Sequence, residues 1–333
     1  MGNVKGFYNI SFKLGKDGET VGLFEKLYTL FIIFSVLIGL VIGQVSGMEN
    51  YADKFILPLL IIMLYLTFLQ IPLKDIKRSF SNRIFTLTSI GMNFVLTPLL
   101  AWFLATIFLV DNPALWLGFI MLMVTPCTDW YIIYTGIAKG NTALSTSILP
   151  LNLILQLLLL PLYLYLFSGT VGVVDFQIVV ESIFLVLIIP FILAFITRHY
   201  LLKNNKDNFI EKVSSLPVIF LCMAIVAMFA SQGGLLLNNL DLLVTLILPI
   251  LVFFLINFII GRLIGKGLKF NKENIASLNL TTLARNSPVA LAIAMTAFPH
   301  EPLIALVLVI GPLIELPMLA LISYVIVVID KRT

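Results

Sequence analysis

The chain has 333 residues, 60% of them hydrophobic and only 11% charged, with a formal net charge of +4 and a mean hydropathy of +1.08. Soluble domains carry about a quarter charged residues, so the composition excludes a soluble fold and predicts an all-α membrane protein. The basic excess is divided among short loops rather than gathered into a patch, which leaves a nucleic-acid partner without support.

In chain order, the first 26 residues are polar and lack the short apolar stretch and small-residue cleavage site of a removable signal; residues 1–26 are expected to form a cytoplasmic N-terminal segment. From Tyr28 onward, apolar tracts of the roughly 20 residues a spanning helix needs recur almost to the C-terminus. Ten spans are predicted, at 28–45, 55–73, 84–109, 115–138, 142–167, 176–199, 213–231, 243–263, 275–297 and 303–328. Cys127 and Cys222 both fall within spans, where a structural disulfide is not expected. Basic residues test the count, because they collect in cytoplasmic loops. They lie before the first span, at 74–83, at Lys139, at 198–212, at 262–272 and after 330, always on one side, while Lys54 alone falls on the other and Arg285 inside a span. Both termini are therefore expected in the cytoplasm of a multi-pass cell-membrane protein.

Ten spans divide into a first repeat at 27–168 and a second at 169–333, and an odd number of spans per repeat inverts the second. The fourth span of each carries a proline, Pro126 in "VTPCTDWY" and Pro288 in "LARNSPVALAIA", each followed 24 residues later by another, Pro150 and Pro312. Proline lacks one intrahelical N–H and clashes with the preceding turn, so each motif can expose backbone groups at mid-span. In hydrocarbon such groups survive only where protein or a cavity covers them. Helix breaks are predicted at Pro126 and Pro288, plain kinks being the alternative.

Most acidic residues fit loops or span ends, Glu181 included. Asp129, Arg285 and Glu315 do not. A charge at mid-bilayer costs on the order of 3 kcal/mol and is usually paired or faces water. If the two broken spans cross, Asp129 and Arg285 meet, either as part of a polar cavity or as a static salt bridge. Glu315, in "GPLIELP", is a carboxyl group whose charged form burial disfavours, suited to carrying a proton or to bonding a neighbouring helix. Asn152 and Gln156 stand one turn apart in the fifth span, and Asn279 and Asn286 lie in the ninth; all are candidates for a polar lining, or for helix-to-helix ties. Cys127 is a soft ligand suited to trivalent arsenic or antimony, or a small packing residue. His199 and His300 lack metal-ligand spacing; no metal and no cofactor is expected.

"TPCTDWYIIYTGIAKGN" resembles the proline–cysteine–threonine segment and following turn of arsenite efflux permeases. "LARNSPVALAIAMTAFP" and "GPLIELP" resemble the ninth and tenth spans of the superfamily that joins those permeases to the bile acid:sodium symporters. The resemblance implies ten spans in a 5+5 inverted repeat with two discontinuous crossing helices. It also implies a core of spans three to five and eight to ten moving against the other spans, with Cys127 matching the cysteine tied to arsenite transport. The chain departs from that pattern at Ala290, where the permeases carry glutamate. It departs again at Tyr131, Ile132, Thr281 and Arg285, where sodium-coupled relatives carry sodium ligands. A guanidinium there repels sodium, so Arg285 is expected to stand in for it.

The expected function is secondary transport of a small oxyanion or organic anion, arsenite-like efflux favoured, by alternating access coupled to protons rather than sodium. The expected site comprises Cys127, Thr128, Asp129, Asn152, Gln156, Arg285, Asn286, Ser287 and Glu315. A sodium-coupled organic-anion symporter is the alternative. An intramembrane enzyme is disfavoured, since the spans hold no paired catalytic groups.

Overall fold

The computed structural model describes residues 19–45, 47–71, 80–127, 130–168, 176–204, 207–238 and 240–332. Among them the chain is all-α. The helices are α1 (Glu19–Ile42), α2 (Met48–Gln70), α3 (Phe80–Phe108), α4 (Pro113–Met123), α5 (Trp130–Ile137), α6 (Thr142–Ser168) and α7 (Gln177–Lys203). After a short helical turn come α8 (Leu216–Asn238), α9 (Leu240–Gly267), α10 (Lys272–Leu283), α11 (Ser287–Ala297) and α12 (Pro302–Arg332). Seven of the described helices are long and apolar enough to cross a membrane. Of the other three expected spans, the first falls in α1, whose stretch Leu30–Ile42 is apolar, and 115–138 and 275–297 are each cut into two pieces.

The helices pack as two groups. In one, α2 lies against α7 and α8, and α1 against α8; in the other, α4 lies against α12 and α3, α9 against α10 and α3, and α11 against α12. The groups touch where α11 meets α2 and the start of α7, where the start of α7 meets α6, and where α12 meets α1 and α8. Within the first, Gly39 and Gly43 let α1 approach so closely that a Cβ on either would stand 2.6–2.7 Å from a carbonyl oxygen of α8.

Helix irregularities follow from the prolines. Pro98 has no N–H to offer the carbonyl of Phe94 four residues back, and α3 widens there into a π-turn over Met92–Leu96. The freed Phe94 carbonyl accepts the Tyr163 hydroxyl at 2.6 Å. α7 repeats the device, with a π-turn at Phe184–Ile188 ahead of Pro190.

Three helix boundaries recur at one spacing. Met123 to Leu283, Ile137 to Ala297 and Thr142 to Pro302 are each 160 residues apart. The prolines do not share that spacing. Pro126 lies in the interruption itself, whereas Pro288 is already the second residue of α11. A proline is tolerated in the first turn of a helix because its missing N–H would be unpaired there anyway, so Pro288 restarts a helix and does not mark the position equivalent to Pro126.

Candidate functional site

The ends of α4 and α10 face each other. Between the half-helices the chain is extended, and Pro126 and Arg285 form an antiparallel bridge. The Cys127 N–H donates to the Ala284 carbonyl at 3.0 Å, and the Asn286 N–H to the Thr125 carbonyl at 2.7 Å. Two chain segments that would each strand backbone groups in a membrane thus pair with one another.

The remaining carbonyls at these helix ends are taken by side chains. The Thr125 hydroxyl lies 3.0 Å from the carbonyls of both Met121 and Leu122, the second being the one Pro126 cannot reach. Arg285, 3% exposed, donates from Nη1 to the Met123 carbonyl at 2.8 Å and from Nε to the Leu283 carbonyl at 3.1 Å. Its Nη2 donates to the Asn93 Oδ1 at 3.1 Å and to the Thr282 carbonyl. Four of the five guanidinium N–H groups therefore have acceptors, and the Phe253 ring lies 5.7 Å away. The charge sits at the C-terminal ends of α4 and α10, where both helix dipoles are negative.

Neighbouring helices complete the shell. The π-turn of α3 carries Asn93, which bonds Arg285 and donates weakly to the Thr281 carbonyl at 3.4 Å. α9 supplies Asn257, which donates to the Thr282 carbonyl at 2.8 Å. Glu315, buried in α12 between Pro312 and Pro317, accepts the backbone N–H of Arg285 at 2.8 Å. The carboxylate thus bonds the backbone of the arginine residue, while carbonyls hold its guanidinium.

On the other side of the bridge the half-helices begin. Asn286 caps α11, its side chain accepting the Val289 N–H at 3.4 Å, and Ser287 opens the helix. Cys127 is 1% exposed and sits in the bridge, bonded through its backbone. The expected Thr128 and Asp129, and with them an Asp129–Arg285 pair, lie outside the described residues. α5 is moored by the Tyr131 hydroxyl on the Ser145 carbonyl at 3.0 Å and the Tyr134 hydroxyl on the Leu316 carbonyl at 3.2 Å.

Asn152 and Gln156 are fully buried on α6, about two and about three turns beyond the level at which Ser145 meets α5. Neither amide has a hydrogen-bond partner on either its oxygen or its nitrogen. Each such atom costs about 1–3 kcal/mol when dry, so four together mark a place made to be wetted or occupied. Asn279 instead donates to the Ile275 carbonyl of its own helix at 2.9 Å.

Asn93 and Asn257 escape a reading of the sequence because a lone amide in an apolar span resembles an ordinary tie between helices. The available signal is that both are Asn-Phe pairs, one in the third and one in the eighth predicted span. No group of three or more His, Cys, Asp or Glu able to hold a metal occurs among the described residues.

The family described as the Sodium Bile acid symporter family has a model that matches residues 57–239, more than half of the chain, and the chain belongs to that family. It is similar to arsenical-resistance protein Acr3 of Corynebacterium glutamicum, with 25% identity over 91% of this chain and 89% of the relative. It is similar also to arsenical-resistance protein Acr3 of Alkaliphilus metalliredigens, with 22% identity over 91% and 92%. The third relative is the rice chloroplastic protein named probable sodium/metabolite cotransporter BASS2, with 25% identity over 84% of this chain and 66% of its own length. The chain is thus a multi-pass membrane protein of a transporter family.

Proposed function

We propose that this member of the sodium bile acid symporter family exports a small oxyanion, an arsenite-like species or an organic anion, by alternating access. We further propose ten spans in a five-plus-five inverted repeat, 27–168 and 169–333, in the cell membrane with both termini cytoplasmic. The repeat is supported by the recurring 160-residue spacing, and the orientation by the one-sided basic loops.

The observation that carries this reading is the bridge between Pro126 and Arg285, where two interrupted helices cross. A crossing of this kind offers the starts of α11 and α5 to a substrate, and helix N-termini favour an anionic group. Cys127, Thr128, Asp129, Asn286 and Ser287 would line that place, with Asn152 and Gln156 as unpaired amides in reach of a polar cargo. Cys127 would contribute a soft sulfur for trivalent arsenic. The core, α3 to α6 with α9 to α12, would rock against α1, α2, α7 and α8.

A sodium ion does not fit the carbonyl oxygens at the crossing, because the guanidinium of Arg285 already takes those of Met123, Thr282 and Leu283. The fixed cation does there what a bound one would do. Coupling then falls to a proton on Glu315 or Asp129.

Uptake by vesicles holding the purified protein, with arsenite, antimonite and organic anions each tried with and without sodium or a pH gradient, tests the proposal. Saturable arsenite transport driven by the pH gradient, reduced tenfold or more by Cys127→Ser and uncoupled from the gradient by Glu315→Gln, is the expected result. Transport of an organic anion that needs sodium would replace the proposal with a sodium-coupled symporter.

A further inference from the structure

Away from the crossing, a cleft of about 450 Å³ separates α3 from the end of α9. It is lined by Thr88, Gly91 and Leu96 on one side and by Ile264, Gly267 and Leu268 on the other. From Thr88 to Leu96 it runs about 12 Å along α3 at the helical rise of 1.5 Å per residue. A Cβ built on Gly91 or Gly267 meets nothing within 4 Å, so the space is open rather than filled by neighbouring side chains. Leu87, Val95 and Leu263 around it are 59–64% exposed. In a chain that spans a membrane these are hydrocarbon-facing surfaces, and the cleft therefore opens sideways into the bilayer.

Basic residues adjoin the cleft lining in sequence, Lys266 and Lys269 next to Gly267 and Leu268, and Arg83 five residues before Thr88. Arg83 begins the α-helical part of α3, Lys266 is in the last turn of α9, and Lys269 follows it, all three exposed. Lys269 closes α9 in the left-handed region, φ 57°, with its N–H on the Lys266 carbonyl and the Phe270 N–H on the Gly265 carbonyl. Glycine is the usual residue in that cap, so a lysine there keeps a cation next to the lining at some conformational cost. Among the described residues no acidic side chain lines the cleft. Of the nearby carboxylates, that of Asp330 is engaged by Arg262, and Glu273 is exposed on α10.

We propose that this cleft binds one anionic phospholipid, with an acyl chain along the apolar wall and the phosphate against Arg83, Lys266 and Lys269. An apolar slot adjoined by cations at a helix terminus matches such a lipid from chain to headgroup, and basic pockets between spanning helices are a recurrent way of holding anionic headgroups. The site has a route to the crossing. Met92 is part of its wall, and the next residue of the same π-turn, Asn93, accepts from Arg285. A chain lodged against the π-turn supports the geometry that presents Asn93, whichever anion is carried.

The test is native mass spectrometry of the protein taken from vesicles of equal parts phosphatidylglycerol and phosphatidylcholine with identical acyl chains. One retained phosphatidylglycerol, favoured at least tenfold over phosphatidylcholine, is expected. Gly91→Trp fills the slot at a position with ordinary helical dihedrals, φ −58° and ψ −40°, and is expected to cut retention tenfold with an unchanged melting midpoint. The triple variant Arg83→Gln, Lys266→Gln, Lys269→Gln is expected to bring the preference within twofold of unity. Equal retention of the two lipids by the wild type, or retention untouched by Gly91→Trp, would overturn the proposal. A dimer that Gly91→Trp dissolves would overturn it in favour of a second copy of the chain in the cleft.

Discussion

The two interruptions face each other as a pair, yet they are built in opposite ways. The two hydrogen bonds of the bridge exchange places when Pro126 is laid on Arg285, Thr125 on Ala284 and Cys127 on Asn286. At one position the first half has a residue that lacks even its backbone donor, and the second half has one that brings five side-chain donors. The first break is made by subtraction. The second is held by addition: Arg285 closes the carbonyls, Asn286 caps the next helix, and Glu315 takes the spare N–H. A symmetric backbone can therefore carry an asymmetric distribution of energy, with most of it in the second half.

The largest expected effect comes from removing that concentration. Arg285→Met would leave the Met123 and Leu283 carbonyls without their described partners, and Asn93 without the donor to its oxygen. Breaking one side of a buried charged network costs about 3–5 kcal/mol. Because Met123 belongs to α4 and Leu283 to α10, both breaks should loosen together. Unfolding in mixed micelles, followed by the fluorescence of Trp116 in α4 and Trp130 in α5, should show the loss. A variant within about 1 kcal/mol of the wild type would mean that the energy is spread evenly over the two breaks.

A finer comparison separates the two asparagines. Asn93→Ala leaves a guanidinium N–H without its acceptor, and a hydrogen bond to a charged group contributes about 1.5–3 kcal/mol. Asn257→Ala removes a neutral bond to the Thr282 carbonyl, which keeps Arg285 as a donor, and also removes the Asn257 Oδ1, which has no partner. It should cost about 1 kcal/mol or less. Equal losses in the same unfolding measurement would show that Asn93 acts as a plain tie between helices and owes nothing to the charge beside it.

The sequence made the membrane class legible, because tracts of some 20 apolar residues have few other uses. It also exposed the interruptions, since Pro126 in the fourth predicted span and Arg285 in the ninth are costly there. Register was not legible. Equal proline intervals suggested that Pro126 and Pro288 correspond, but proline can sit either in a break or in the first turn after one, and only the paired backbone distinguishes the two. Partners were not legible either. Asp129, the natural counter-charge for Arg285 by sign alone, lies outside the described residues; of the four described acceptors of the guanidinium, three are carbonyls at helix ends, groups that are the same for every residue type, and the fourth is the Asn93 side chain. Glu315, thirty residues on, reaches Arg285 through the backbone N–H, a contact that no charge-pairing rule anticipates.

The smallest effect is expected at the residue that looks most disruptive. Proline in a helix interior costs about 3 kcal/mol, so Pro126 discourages α4 from running on through the break. The bonds that fix the extended stretch are nevertheless made by its neighbours, the Thr125 carbonyl and the Cys127 N–H, and the Leu122 carbonyl already has the Thr125 hydroxyl. Pro126→Ala leaves all three in place. The backbone N–H gained by that substitution competes for the Leu122 carbonyl only if the bridge to Ala284 and Asn286 opens, and that opening would release two backbone hydrogen bonds to gain one. Stability should change by less than about 1 kcal/mol in the same unfolding measurement, since one exchanged hydrogen bond is worth about that much. A loss approaching that of Arg285→Met would show instead that the first break stands by itself, and that the two halves share the load after all.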